Sequence, residues 1–571
     1  MTLRKEVILL KNKITDLLAA QIPELSREEI SQMIEIPPKQ DMGDYAFPCF
    51  KLAKTYRKAP PLIAGEILEK IGHPSFLSEI KTAGAYLNFY IDKEQYAASL
   101  IDAYRSTTEY GSSEIGKGKT ICIDYSSPNV AKNFHIGHLR TTIIGNSLYH
   151  IFTKLGYRVV RINHLGDWGT QFGKLLVAYQ KFGNKEAVEE KGIQELMDLY
   201  VQFHEEAEKD DSLNDLARAA FASMEQGDPD ALAVWEWFKD ISLKEFLRIY
   251  DIMNIGFDSF AGESFYRDKT GGIVETLRDK GLLVESEGAL VVPLDEYDMP
   301  PCIVAKKDGS SIYATRDLAA VLYRKATYDF YKCLYVTGQE QKLHFAQVFK
   351  VIELMGNDYA QDLVHIPYGL VRLKEGKISS RKGNVIFAED LLNESINKTK
   401  AIIEEKNPDI PDKDKVAQIV GIGAILFNDL YNQRIKDVVF DWDKLLNFDG
   451  ETGPYVQYTY ARASSVLRKV GEPESDTINC KLLVDDASLS LLKEIERYPQ
   501  VIREAAERYE PFLIARFSMD VAHAFNKFYQ ECQINCSDSE LRCTRANVVK
   551  MVRYILKDSL SLLGIDCPEQ M

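Results

Sequence analysis

The sequence predicts an α/β fold: a central domain on a doubly wound parallel sheet, preceded by an α+β module and followed by an all-α domain. Two successive strand–loop–helix patterns predict the parallel sheet. Residues 120–123 are apolar and β-favouring, and after a loop the apolar residues recur at helical spacing as far as Leu155, before Gly156. Residues 158–163 favour a second strand, and a glycine-rich turn leads into a helix from about Thr170.

The chain divides into four predicted regions, because 571 residues exceed what one hydrophobic core usually holds. In the first region an amphipathic helix precedes a strand predicted over residues 83–91. The predicted regions are 1–105 (α+β module), 106–385 (parallel α/β domain with an acidic helical insertion at about 184–260), 386–450 (mostly helical connector) and 451–571 (helical domain). Further strands are predicted at 288–293 and 302–305 in inserted segments, and at 333–336 and 363–366 in the parallel sheet.

Composition excludes a membrane-spanning or disulfide-stabilised class. The chain is 45% hydrophobic and 27% charged, and it has no apolar run of the roughly 18 residues that cross a bilayer. The amphipathic N-terminus lacks the features of a signal peptide, which predicts a cytoplasmic protein. The nine cysteines include one cluster, Cys532, Cys536 and Cys543, whose spacing lacks the paired CxxC of a zinc knuckle. We therefore predict no metal site in the protein and, without an association motif, a monomer.

The net charge of −15 is concentrated in one segment. Residues 184–260 hold 19 acidic and 7 basic residues, whereas residues 106–183 hold 9 basic and 4 acidic ones. The acidity thus belongs mostly to the predicted insertion, and other surfaces can present basic patches to an anionic partner.

The loop from Asp124 to His138 has the composition of a phosphate site. It joins a strand to a helix N-terminus, where backbone N–H groups and the helix dipole favour anions. His135 and His138 add donors, and Gly137 leaves room for a base to approach the backbone. The alternative is two satisfied surface histidines on an ordinary helix cap.

The run SPNVAKNFHIGHLR in this loop resembles the nucleotide-binding signature of class I aminoacyl-tRNA synthetases, in the form found in the arginyl-tRNA synthetase family. Asp124, Ser127, Asn129 and Lys132 stand where that family has functional side chains. The resemblance implies a Rossmann-like, HIGH-type nucleotidyl transferase domain. It also implies that His135, Gly137 and His138 contact ATP.

A second basic loop at residues 376–384 resembles the other class I signature, usually written KMSKS. Its bases and hydroxyls form an anion clamp suited to a leaving pyrophosphate. Ser380 stands where the family pattern has its last lysine, and the resemblance implies that Lys132 supplies the missing cation. The side chains assigned to catalysis here are Lys377, Ser379, Arg381 and Lys382, of which Lys377 and Ser379 are also assigned to ATP.

Tyr313 and Asp317 are four residues apart and so share one face of a helical turn. A guanidinium prefers carboxylates at its edge, and Asp317 and Asp124 provide two. The alternative is a surface ion pair of Asp317 with Arg316 or Arg324. The resemblance places around the amino acid Asp124, Ser127, Asn129, His138, Tyr313, Asp317 and Gln341.

Both ends of the chain resemble tRNA-contacting domains of the same family. The strings GDYAFP and AGAYLNF resemble its N-terminal domain, and the closing helical region resembles its anticodon-binding domain. Tyr455, Tyr458 and Arg462 lie near helical spacing on a surface that could meet RNA, or they pack against a neighbouring helix.

The resemblance implies ATP-dependent attachment of L-arginine to its tRNA through arginyl-adenylate, with Mg²⁺ on the phosphates. Because a pocket of buried polar groups rejects ligands that leave them unpaired by about 10⁴ to 10⁵, we predict no editing activity. Two alternatives stay open: a class I synthetase for another amino acid, and a non-catalytic tRNA-binding paralogue.

Overall fold

The computed structural model describes residues 10–306, 312–373, 376–377, 387–471 and 478–571. Within these ranges no helix is long and apolar enough to cross a membrane. The four-stranded parallel sheet lies in the middle of the chain, with a small sheet before it and helices after it.

The N-terminal module packs helices on a three-stranded antiparallel sheet of order β1–β3–β2. The strand predicted over residues 83–91 is wrong only at its start: the strand is Tyr86–Ile91, and Ala83 ends the preceding strand and pairs with Tyr86 across a hairpin turn. Gly84 has φ +59°, a turn conformation that a residue with a side chain rarely adopts. Phe47 and Phe89 are fully buried core residues. The elements are α1 (Leu10–Ala19), α2 (Arg27–Met33), β1 (Tyr45–Pro48), α3 (Leu52–Tyr56), α4 (Pro60–Ile71), β2 (Leu77–Ala83), β3 (Tyr86–Ile91) and α5 (Lys93–Arg105).

The central sheet has the order β10–β9–β4–β5, and all its neighbours are parallel, as predicted. Strands β4 and β9 lie in the middle and are apolar, because helices cover both faces of such a sheet. Its first elements are β4 (Thr120–Asp124), α6 (Ile136–Lys154), β5 (Arg158–Ile162) and α7 (Thr170–Phe182). After the insertions come α13 (Tyr313–Tyr328), β9 (Lys332–Gly338), α14 (Lys342–Leu354) and β10 (Leu363–Tyr368).

Two insertions separate the halves of the sheet. The acidic one is helical, as predicted, and consists of α8 (Lys185–Lys191), α9 (Ile193–Ala207), α10 (Ser212–Glu225) and α11 (Pro229–Ile252). The second contains α12 (Thr270–Asp279) and an antiparallel sheet of β6 (Val284–Ser286), β7 (Ala289–Val292) and β8 (Cys302–Ala305).

The connector is mostly helical but also contributes a strand that the sequence pattern did not indicate. It contains α15 (Ala388–Lys406), α16 (Lys413–Leu430), β13 (Val438–Phe440) and α17 (Trp442–Leu445). Strand β13 pairs in parallel with β11 (Val371–Leu373), which also pairs with β12 (Gly376–Lys377). The C-terminal domain is helical throughout its described part: α18 (Gly453–Val470), α19 (Asp486–Arg508), α20 (Phe512–Glu531) and α21 (Ser539–Leu562).

A buried carboxylate joins the two ends of the chain. Glu496 of α19 is 9% exposed and accepts hydrogen bonds from the Leu10 backbone N–H and the Tyr96 hydroxyl, both at 2.9 Å. Burial raises the pKa of Glu496 above its ordinary value. Next to it, Lys493 contacts Asp44 of the N-terminal module at 2.7 Å. The N-terminal module is therefore fastened to the C-terminal domain by polar contacts.

Replacing Glu496 with alanine should lower the free energy of unfolding by about 2 to 5 kcal/mol, because two buried donors lose their acceptor. Urea unfolding measures this loss. The matched control is Glu494→Ala on the same helix, whose pairing with Arg497 lies nearer the surface and is worth about 0 to 1 kcal/mol. Equal losses in the two variants would contradict the fastening role.

Candidate active site

The histidine pair begins helix α6 and is fixed by its own backbone. His135 is the N-cap residue, and its Nδ1 accepts the Gly137 N–H at 3.0 Å. His138 Nδ1 accepts the His135 N–H at 3.3 Å, and the two rings stack with centroids 3.8 Å apart. Because each Nδ1 is an acceptor, the proton of each neutral ring lies on Nε2. The pair therefore offers two oriented N–H donors.

Gly137 is required by this arrangement. A Cβ there would lie 2.9 Å from the His135 ring, closer than side chains tolerate. Within the first helical turn the Gly137 N–H donates to His135 Nδ1 and the His138 N–H donates to the His135 carbonyl at 2.8 Å, so the ring Nε2–H groups are the donors that the pair offers to an anion.

Both histidines are neutral at pH 7. Burial and the positive charge of Lys132 lower the pKa of His135 below 6.5. The pKa of His138 lies well below that value, because burial, the neighbouring His135 ring and the charge of Lys132 all disfavour a protonated His138. Lys132 thus lies close enough for its charge to reach both rings, although the signature loop leaves it exposed.

The loop before the histidines is strained. Ser126, Ser127 and Ala131 have φ values of 71°, 46° and 60°, in the left-handed region that residues with a Cβ avoid at a cost of about 1 to 2 kcal/mol each. Asn129 forms a bridge to Gly166, where a Cβ would lie 2.1 Å from the Asn129 Oδ1. The turn after β5 must therefore be glycine at this position for the loop to pass.

Asp124 ends β4 and is engaged inside the protein. One carboxylate oxygen lies 2.7 Å from Arg324 Nη2, and the other accepts the Ser127 hydroxyl at 3.0 Å. The Arg324 side chain is 1% exposed, so the pair is a buried one. Arg324 is therefore paired with Asp124, and the alternative of a surface ion pair between Asp317 and Arg324 is wrong.

Asp317, on the first turn of α13, has a different environment. Its carboxylate lies 2.6 Å from His344 Nε2 and 3.9 Å from His164 Nε2. Burial raises the pKa of Asp317, but the hydrogen bond from His344 and the charges of His344, His164 and Arg324 lower it by more. The Asp317 side chain is 20% exposed against 8% for Asp124, so Asp317 is the more accessible carboxylate.

The two carboxylates belong to one polar cluster. The Ser127 hydroxyl donates to Asp124 and accepts the His164 N–H at 3.1 Å, and the His164 ring approaches Asp317. Arg324 reaches both, since its charge also lowers the pKa of Asp317. The sequence reasoning missed His164, His344 and the burial of Arg324. The one available signal was Arg324 seven residues after Asp317, on the same helical face.

Tyr313 and Gln341, the other two residues predicted to contact the amino acid from this half of the domain, are both exposed. Tyr313 is 59% exposed, and the Arg316 guanidinium lies 5.1 Å from its ring centroid. Arg316 Nε also lies 3.2 Å from the Glu263 carboxylate, whose pKa burial raises to about 8. Gln341 is exposed at the end of a short 3₁₀ turn before α14.

The second signature lies mostly outside the described residues. Ser379, Arg381 and Lys382 fall there, and the backbone of Lys377 lies in β12. Arg140 of α6 ties the preceding segment to the first signature, because it donates to the carbonyls of Leu370, Arg434 and Lys436 at 3.3, 3.0 and 2.9 Å.

On the C-terminal domain, Arg462 lies between two tyrosines. Its guanidinium is 4.9 Å from the Tyr458 ring centroid and 5.6 Å from that of Tyr529, which the sequence reasoning missed. Both rings are partly exposed and line a pocket of ≈ 340 Å³ together with Arg468. Tyr455 is half-buried instead, and its hydroxyl accepts a hydrogen bond from Asn526 at 2.8 Å.

Three family profiles match the chain. They describe a class I (R) tRNA synthetase catalytic domain over residues 101–442, a DALR anticodon-binding domain over residues 456–571, and an arginyl-tRNA synthetase N-terminal domain over residues 9–91.

Curated relatives match along nearly their whole length. The chain is 52% identical to the arginine–tRNA ligase of Alkaliphilus metalliredigens and 51% identical to that of Clostridioides difficile. Each alignment has 562 residues and covers 98% of this chain and 99% of the relative. The fold matches Thermus thermophilus arginyl-tRNA synthetase with a TM-score of 0.83 at 24% identity, covering 99% of this chain and 100% of that one. Plasmodium falciparum arginyl-tRNA synthetase gives 0.79 at 24%, covering 98% and 99%.

The charge of Lys132 can be removed to test its reach. In Lys132→Ala, the pKa values of His135 and His138 should rise toward 6.5, since a neighbouring cation is lost. NMR titration of the imidazole protons measures this, with His150 as the internal control, since burial and Arg161 lower its pKa to about 4.

The same shifts fix the sign of the pH dependence of stability. Because the folded pKa values lie below 6.5, the histidines' contribution to stability is complete above pH 6.5 and declines as the pH falls below it.

Unchanged titration of both histidine rings in Lys132→Ala would show that the lysine does not act on them.

Proposed function

The chain belongs to the class I arginyl-tRNA synthetase family, and we propose from that premise that it attaches L-arginine to its tRNA in two steps. ATP and arginine first give arginyl-adenylate and pyrophosphate. The arginyl group then passes to the terminal ribose of the tRNA. The observation that carries the choice of arginine is the buried cluster of Asp124, Arg324 and Asp317 beside the histidine loop.

Asp317 is the proposed partner of the substrate guanidinium. It is the more accessible of the two carboxylates, and a carboxylate is the strongest hydrogen-bonding partner for that group. Asp124 acts beside it and is paired with Arg324, so Asp317, whose hydrogen-bond partner is His344, is the carboxylate proposed to receive one further cation. Tyr313 covers the exposed side, and Ser127, Asn129, His138 and Gln341 hold the remainder of the amino acid.

Catalysis is proposed to rest on positioning and charge neutralisation, because the arginine carboxylate attacks the α-phosphorus directly. The Nε2–H groups of His135 and His138 and the Lys132 ammonium face the phosphates, beside the backbone at Gly137. The second signature is assigned the leaving pyrophosphate through Lys377, Ser379, Arg381 and Lys382, on family resemblance alone.

Mg²⁺ is proposed to bind with the ATP. In the described part of the chain, no group of three or more His, Cys, Asp and Glu residues could hold a metal ion. That fits Mg²⁺, which usually keeps several waters and is held largely by substrate phosphates. There the ion would neutralise phosphate charge.

The tRNA is proposed to contact both ends of the chain. On the C-terminal domain, exposed Tyr458 and the Arg462 guanidinium offer stacking faces for unpaired bases, and half-buried Tyr455 supports them. The insertion at 184–260 is helical and holds the signature loop, which supports the proposal that there is no editing site. We further propose that the protein works as a monomer in the cytoplasm.

Pyrophosphate exchange with ATP and each amino acid, with and without tRNA, tests the function. Arginine with tRNA should support exchange, whereas lysine and citrulline should leave the carboxylates poorly satisfied and react far more slowly. Asp317→Asn should raise the KM for arginine about 30- to 1000-fold, as expected for a lost charged hydrogen bond in a partly buried site.

The matched control is Asp329→Asn, at the other end of the same helix. Asp329 pairs with Lys325 with its side chain 91% exposed, so its loss should leave the KM unchanged. Exchange with an amino acid other than arginine, or no exchange with any amino acid, would overturn the proposed function.

Lys132→Ala should lower the rate of adenylate formation about 30- to 1000-fold while arginine affinity stays within about two-fold. The reason is that the ammonium acts on phosphate charge that develops in the transition state. Single-turnover formation of arginyl-adenylate measures the rate, and equilibrium arginine binding measures the affinity. Equal losses in both would remove Lys132 from the catalytic set.

A further inference from the structure

The acidic insertion supplies a helix that lies directly against the strained signature loop. Along α11, Trp235, Lys239, Ser242, Phe246 and Tyr250 follow one another at intervals of three or four residues and so share one face. This face contacts the loop before the histidines and the turn after β5. It contains polar groups as well as apolar ones, which is unusual for a face that serves only packing.

Tyr250 contacts the first strained residue of the loop. Its hydroxyl lies 2.7 Å from the Ser126 Oγ and accepts the Asn163 Nδ2 at 2.9 Å, and all three residues are buried. Burial raises the pKa of Tyr250, so its hydroxyl stays neutral and shares a hydrogen bond with the Ser126 hydroxyl. Thr142 of α6 also donates to the Ser126 Oγ, at 2.7 Å. Ser126 thus joins α11 to the helix that begins with the histidines.

Ser242 contacts the last strained residue of the loop. Its Oγ accepts the Ala131 N–H at 3.0 Å and donates to the Phe238 carbonyl at 2.8 Å within its own helix. Ser242 is fully buried, so no water replaces it as the acceptor. Ala131 immediately precedes Lys132, whose charge reaches both histidines.

Helix α11 also makes apolar contacts with the signature loop and a charged contact with the turn after β5. The Phe134 ring lies 5.6 Å from that of Tyr250 and 6.1 Å from that of Phe246. Lys239 lies 3.0 Å from the buried Asp167 carboxylate. Helix α11 therefore contacts the loop at both ends and also the turn that carries His164.

We propose that α11 is the positioning element of the signature loop, and that Tyr250 and Ser242 are its positioning residues. They hold Ser126 and Ala131 in left-handed conformations that the loop alone would not keep. They thereby orient Asn129, which lies between these two residues, and Lys132, which directly follows Ala131. The structural part of this inference stands on contacts alone, while its effect on adenylate formation rests on the proposed function.

Tyr250→Phe and Ser242→Ala test the proposal, each in the full-length chain. Hydrogen exchange followed by mass spectrometry should show amides of residues 126–135 exchanging about five- to ten-fold faster, as expected when each variant loses its one buried hydrogen bond to the loop. The kcat of arginine-dependent pyrophosphate exchange with tRNA should fall about ten-fold, and more than the KM for arginine rises, because misplacement affects the reacting geometry.

Two matched controls separate positioning from stability. Tyr110→Phe removes a buried hydroxyl that donates to the Ile495 carbonyl, and Ser518→Ala removes one that donates within α20. Both should lower the thermal midpoint of unfolding as much as the α11 variants do. They should leave the hydrogen exchange of amides 126–135 and the kcat of pyrophosphate exchange unchanged.

Unchanged exchange of the loop amides in both α11 variants would overturn the proposal, whatever the activity. Faster hydrogen exchange of the loop amides with an unchanged kcat of pyrophosphate exchange would overturn the positioning role in catalysis. If the unmodified chain shows no pyrophosphate exchange with any amino acid, the proposed function fails. The hydrogen exchange of the loop amides then still decides whether α11 holds the loop.

Discussion

The loop between β4 and α6 has to turn through left-handed backbone conformations at residues that carry side chains. The elements packed around this loop are therefore placed where they can hold it in that conformation. Ser126 and Ala131 are fixed by buried hydroxyl groups from α11, and Asn129 is fixed by the close approach of Gly166. Such strain persists only where surrounding contacts over-determine the backbone. The central sheet fixes one end of the loop, helix α6 the other, and the acidic insertion its middle.

The site combines charges that would each be costly alone. Asp124 is buried, but Arg324 and Ser127 satisfy its oxygens, and Asp317 is held by His344 at the accessible side. A buried ion pair seldom adds net stability, although it fixes geometry. This cluster therefore resembles a preorganised receptor for a cation more than a device for stabilising the fold. The neutral histidines beside it complement phosphate by donating hydrogen bonds rather than by carrying charge.

The division of charge along the chain has the same logic. The insertion carries most of the net negative charge, with 19 acidic against 7 basic residues, and its helix α11 contacts the signature loop. The aromatic and basic side chains near Arg462 lie on the C-terminal helices. The two terminal regions meet at Glu496, which buries one carboxylate between α19 and the N-terminal module. The surfaces proposed for the small substrates and for tRNA are thus parts of one connected framework.

The sequence by itself determined the elements whose signal is local. Apolar periodicity located the strands of the parallel sheet and helix α6, the signature motifs located the histidine loop, and together they indicated the family. The hairpin at Gly84 was missed because its first strand, Leu77–Ala83, is mostly polar and exposed and gives little apolar signal. Tertiary structure alone decided which charged and polar side chains pair: Asp124 with Arg324, Asp317 with His344, and Ser126 with Tyr250. These partners are up to 200 residues apart. Their pairing depends on how strands and helices pack, and neither periodicity nor spacing along the chain records that packing.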